Sequence, residues 1–290
     1  MRAAKRRQIW KTELNDIIRG ACGGFLFGIP LLYTMEVWWI GSFISPPRML
    51  VAIAATFGVV FLLNRTSGFR NAKDVNARDA VIDSVEAIAL GLFCAALILI
   101  LLQEITLSTP LNEELGKIVY EGVPFTLGVA LARQLLSSGS DDDSDNPSES
   151  PQSNSKPEIN ATLSDIGGTL IGSIFIAFNI APTDEVAMLS SAVSAPWLIA
   201  IIVTSLLISY GIVFEANFSD QKKRMQQRGI FQRPLSETVM SYLVSLAAAA
   251  VMLWFFDRLS FDDPWTMWLS YTLILGLPAT IGGAAGRLAV

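Results

Sequence analysis

Two acidic residues stand where a bilayer tolerates them least. Glu36 lies within a long apolar run, in the stretch Thr34-Met35-Glu36-Val37, and Glu185 follows another, in Thr183-Asp184-Glu185-Val186. A carboxylate inside a span costs about 2.5–3.5 kcal/mol on insertion scales, so it must face protein or water. Counted from Gly20 at about 1.5 Å per residue, Glu36 falls about 24 Å into the bilayer, toward its outer face. Pro30 and Pro182 precede the two acids, and such prolines bend or break a helix and free backbone carbonyls. Carboxylates, the Thr34 and Thr183 hydroxyls and unwound carbonyls are all oxygen ligands, which suit hard cations. The chemistry expected of this group is to bind, filter or exchange a small cation or a proton. The plainer alternative is a pair of structural acids hydrogen-bonded to the freed backbone. Asp184 joins the group with less weight, because its counterpart is Met35.

The counterparts come from an internal repeat. A shift of 149 positions aligns Asp16 with Asp165, Gly23 with Gly172, Thr34 with Thr183 and Glu36 with Glu185. A shift of 154 aligns Asp83 with Glu237 and lays Gly122-x-Pro124-x-Thr126-x-Gly128-x-Ala130-x-x-Arg133 on the same pattern from Gly276 through Pro278 and Thr280 to Arg287. Small residues at this spacing let helices approach closely. Pro124 and Pro278 would bend them, with Thr126 and Thr280 bonding the released carbonyls. Packing is the ordinary reading of this motif, and a gating helix the sharper one. Asp83 and Glu237 open helices at the cytoplasmic edge, where acids favour the positive dipole end, and Arg133 and Arg287 emerge at the same edge.

The elements that carry these residues follow from composition. The chain has 290 residues, 52% of them hydrophobic and 16% charged, against about 25% charged in soluble domains. Apolar runs near the length that a 30 Å hydrocarbon core requires cover about 20–43, 49–63, 85–102, 118–136, 166–180, 197–214, 239–256 and 265–289. With the N-terminus inside, 18 of the 21 basic residues fall in cytoplasmic segments, as the positive-inside rule demands. Both termini are then cytoplasmic. The outer loops, Glu104, Glu113, Glu114 and Glu121 included, hold nine acids against three bases and suggest an acidic vestibule. Residues 137–158 contain almost nothing apolar and cannot offset their ordering entropy.

The fold expected is an all-α membrane protein. Eight transmembrane helices form two tandem four-helix repeats of the same orientation, related by a pseudo-two-fold axis along the membrane normal. The segments are a basic cytoplasmic N-terminus (1–15), a first repeat (16–136), a disordered acidic cytoplasmic linker (137–164) and a second repeat (165–290).

Histidine is absent, which removes histidine-ligated metals and the usual Ser-His and Cys-His nucleophiles. Cys22 and Cys94 read as small buried hydrophobes. No P-loop, nucleotide-binding glycine loop or metal-ligand spacing occurs. Neither an enzyme nor a cofactor, metal or nucleic-acid partner is expected; the partners are the bilayer, a small cation or proton, and a second copy if the chain assembles. The two blocks TMEVWW/TDEVAM and GVPFTLGVALAR/GLPATIGGAAGR resemble, over nearly the whole chain except the linker, a bacterial family of integral membrane proteins of unassigned function. That resemblance implies the bacterial inner membrane and supplies no activity or catalytic residue. From the residues themselves the reading is a small-cation channel or secondary transporter, with proton coupling open. Its rival is a non-transporting scaffold, sensor or accessory subunit.

Overall fold

The computed structural model describes residues 2–66, 77–132, 158–215 and 234–289. Among them the secondary structure is helical throughout, and no strand occurs. The first series comprises α1 (Arg2–Leu32), α2 (Met35–Ser42), α3 (Pro46–Thr66), α4 (Ala77–Leu101) and α5 (Leu111–Leu131). The second comprises α6 (Glu158–Ile180), α7 (Glu185–Ala192), α8 (Ala195–Tyr210), α9 (Pro234–Phe255) and α10 (Trp265–Leu288). A π-helical turn, Gly211–Glu215, prolongs α8.

Local chemistry sets the helix ends. Proline enters α8 in its first turn, after extended Ser194, where a missing amide hydrogen does no harm. Helices α4 and α9 stop in the same way. Gln103 and Asp257 adopt left-handed φ values of 62° and 59°, and the chain folds back on the preceding turn. The amides of Glu104 and Ile105 donate to the Leu99 carbonyl at 2.9 and 3.3 Å, as those of Arg258 and Leu259 do to Leu253 at the same distances. Such 6→1 closures satisfy carbonyls that the helix end would leave orphaned.

Helix α5 is the hub of the first series and packs against α1, α2, α3 and α4; α10 packs against α6, α7, α8 and α9. Glycines make the closest approaches. A Cβ on Gly23 would strike the Gly128 carbonyl, and one on Gly172 would strike that of Gly282. Gly122 lies under the Leu92 side chain as Gly276 lies under Leu246. Removal of a side chain at these points brings two backbones into van der Waals contact, the close approach that helices in lipid use. The two series meet where α1 packs on α10 and on the π-helical turn. There the buried Tyr33 hydroxyl donates to the Ile274 carbonyl at 2.6 Å.

Six described helices are long and apolar enough to cross a bilayer, or seven if the bent pair α1–α2 makes one span. The eight expected spans are therefore not all of one kind. Helix α5, over the fourth expected span, does not reach that standard, because Glu113, Glu114, Lys117 and Glu121 crowd its first three turns. The helix that carries the first expected span begins earlier than Gly20, at Arg2.

Candidate functional site

Glu36 and Glu185 sit directly after helix ends. Helix α1 runs through Pro30 and ends at Leu32; α2 departs from it at 87°. Extended Thr34 precedes α2, its side chain exposed and making no capping bond. Glu36 lies in the first turn of α2 and is exposed. In the second series α6 ends at Ile180 and Glu185 begins α7, with Pro182 between them. The Thr183 hydroxyl donates to the Ile180 carbonyl at 2.6 Å, and Glu185 is buried. Each acid thus occupies the positive end of a short helix, where a carboxylate is favoured. Asp184 is committed elsewhere: Arg258 holds it at 2.7 Å and also donates to the Pro182 carbonyl.

Among the described residues, Glu36 and Glu185 sit on short helices with different packing partners. Helix α2 rests on α5 and α7 on α10. A cavity of about 460 Å³ opens where α1, α6 and α10 converge, lined by apolar residues that include Leu26, Phe27, Phe175 and Ile281. Pro30 borders it, but neither Glu36 nor Glu185 does. Pro124 and Pro278 lie inside continuous α5 and α10. Thr280 bonds the Gly276 carbonyl at 2.6 Å, and buried Thr126 packs against Gly91 of α4.

The C-terminal end of α10 is more tightly built than the spacing alone suggested. Arg287 is fully buried and ion-paired to Glu237, which the sequence marked only as a separate edge residue. Its other nitrogen donates to Ser241 at 3.0 Å, and the Phe214 ring, 5.7 Å away, covers the guanidinium. Above it, Thr169 and Ser173 of α6 face Ser241 and Ser245 of α9 in a buried hydroxyl ladder, the second pair at 2.8 Å. Asp83 is buried in α4 and has partners of its own. Arg133 and the 137–157 part of the linker lie outside the described residues.

A second polar group, centred on α5, was missed from the sequence. The Lys117 ammonium is buried; it donates to the Glu104 carbonyl at 2.8 Å and pairs with the Glu113 and Glu104 carboxylates at 2.9 and 3.4 Å. The Trp38 ring of α2 covers it at 5.6 Å. Burial pushes the Glu104 carboxyl up from its ordinary range, against the downward pull of Lys117. One turn further along α5 lies Glu121. The expectation that it belongs to an outer-loop vestibule is corrected: it is completely buried inside the helix, and neither carboxyl oxygen has a hydrogen-bond partner. Trp38 Nε1 is likewise buried and unpartnered. The signal was present in the i, i+4 spacing of Lys117 and Glu121 and in the position of Glu121 immediately before Gly122 of the repeated motif. What hid it was its counterpart, the apolar Leu275.

The comparisons with known proteins bear on the class of the molecule. No curated protein and no solved structure matches the chain. Residues 16–290 match the family described as "Putative integral membrane protein (DUF2391)". With most of its length in that match and several apolar helices long enough to cross a bilayer, the chain belongs to this family of integral membrane proteins.

Proposed function

We propose that the chain passes a small cation across the membrane, as a channel or secondary carrier built from two tandem four-helix repeats. The observation that carries this reading is the helix end before each acid: α1 gives way to α2 at a bend of 87° just before Glu36, and α6 stops at Ile180 before α7 begins at Glu185. Discontinuous helices inside a membrane present unwound carbonyls and helix ends to an ion, and this is where secondary transporters place their sites. Glu36 and Glu185 then select the cation, with Thr34 and Thr183 beside them. Support for duplication comes from equivalent positions making equivalent contacts: the Gly23–Gly128 and Gly172–Gly282 crossings, and the left-handed stops at Gln103 and Asp257. In this reading α5 counts as a span despite its charges, and both termini face the cytoplasm of a bacterial cell.

Vesicles reconstituted with the wild type and with Glu36→Gln/Glu185→Gln test the assignment. Reduced or reselected flux in the double variant supports it, and equal flux ends it. Asp184→Asn, whose carboxylate is held by Arg258, should leave flux unchanged.

A non-transporting scaffold or accessory subunit is the second reading. Two observations favour it: the cavity between the series is apolar, and Glu36 stands exposed. On that account deletion of residues 137–158 abolishes function while Glu36→Gln is silent.

A further inference from the structure

Glu121 has no part in the reading above, and its surroundings give it one of its own. It lies on the stripe of α5 that turns toward α1, with Lys117 one turn outward and Phe125 one turn inward. The Phe125 ring packs directly on Gly28 of α1 and closes the inner side. A charged carboxylate buried with no partner from the protein is costly; the carboxylic acid is the form such a place favours. We infer that Glu121 is a proton-binding site of the membrane interior, with the Lys117 ammonium as the counter-charge that meets its carboxylate when the proton leaves.

Lys117 has two sets of carboxylates within its reach. In the structure it is swung outward to Glu104 and Glu113, and Glu121, at i+4 on the same helix, is left alone. When Glu121 gives up its proton to solvent water, the ammonium, its own charge unchanged, turns inward and pairs with the carboxylate; when a proton returns from solvent, Lys117 goes back to Glu104 and Glu113. Trp38 lines the ammonium on one side and keeps an unspent donor, Nε1, beside this exchange. The helices packed against α5 carry other charged or titratable groups. The Tyr33 hydroxyl of α1 is taken by Ile274, and Glu36 of α2 and Arg48 of α3 are exposed. Cys94 of α4 is buried. The contacts of Gly23 with Gly128 and of Gly91 with Thr126 put Asp16, Arg19, Asp79, Asp83 and Glu86 toward the inner end of α5, and Arg65 ends α3. The site is a property of the native chain at equilibrium and does not depend on whether Glu36 and Glu185 carry an ion.

Dicyclohexylcarbodiimide, which attacks protonated carboxyls in apolar surroundings, reads the site directly. The purified full-length protein is labelled over a range of pH, with and without sodium, and the adduct is located by mass spectrometry. The expected result is an adduct on Glu121 at neutral pH that fades as pH rises. It should be indifferent to sodium, retained in Glu36→Gln/Glu185→Gln and absent in Glu121→Gln. In Lys117→Gln, loss of the counter-charge should move half-labelling upward by about one pH unit or more, roughly a tenfold tighter hold on the proton. An adduct missing from Glu121 at every pH overturns the site, and one abolished by sodium at constant pH reassigns it to a metal cation. A midpoint unmoved by Lys117→Gln removes the lysine from the mechanism. Should Glu121→Gln fail to fold, the wild-type titration still decides.

Discussion

The guanidinium of Arg287 is buried against the carboxylate of Glu237, and this one contact ties the inner end of α10 to the first turn of α9. Phe214, from the π-helical turn that prolongs α8, lies across the same guanidinium. Three helices are therefore fastened at one buried point. Breaking such a pair from one side strands a charge.

Glu237→Gln or Arg287→Met alone should destabilise the protein by about 3–5 kcal/mol, whereas the double replacement should recover most of that loss. Thermal unfolding in detergent, run as a double-mutant cycle, measures the difference. Additive losses would mean that the two side chains do not act as a pair.

Gly172→Val and Gly23→Val should prevent accumulation of folded protein, since each new side chain would meet backbone of the facing helix. Gly58→Ala in α3, where nothing lies within 4 Å of the added methyl, should be tolerated and gain about 0.5–1 kcal/mol. Size-exclusion profiles of the three variants separate the outcomes.

Burial raises the Glu104 carboxyl above its unfolded value. Its contribution to stability is then complete below the unfolded range and is lost as pH rises through the folded one. The wild type should therefore lose stability relative to Glu104→Gln as pH is raised from about 4 toward neutrality. Melting temperatures of both proteins across that interval give the sign; a gap that is constant, or that widens in favour of the wild type, would be the wrong one.

Much of this architecture is legible in the sequence. Apolar run length gives most of the helices, and the proline-acid spacing anticipates the stop at Leu32 and the gap between Ile180 and Glu185. The shared glycines mark where α1 meets α5 and α6 meets α10. What could not be read is which side of each helix finds a neighbour. Lys117 and Glu121 look like the charged mouth of a span until α1 and α2 close over them, because periodicity gives a face but not its occupant. Arg287 and Glu237 were each visible as edge residues, yet their pairing depends on how α9 and α10 pack, and that is a tertiary fact.

Leu107 offers a direct check on the proposed orientation. This residue is fully exposed in the turn between α4 and α5. If α4 crosses with its C-terminal end outside, a Leu107→Cys variant should react with a membrane-impermeant maleimide added outside intact cells, while the buried Cys22 and Cys94 stay silent. Reaction only after permeabilisation would put the turn inside and invert the proposed orientation.

Ion movement by the unmodified protein is the most direct test of the whole account. Vesicles carrying the purified full-length chain, loaded with a proton- or cation-sensitive dye and given a gradient of sodium, potassium or protons in turn, should show flux above that of protein-free vesicles for at least one ion. Traces indistinguishable from protein-free vesicles for all three would contradict the transport reading and leave the accessory-subunit reading in its place.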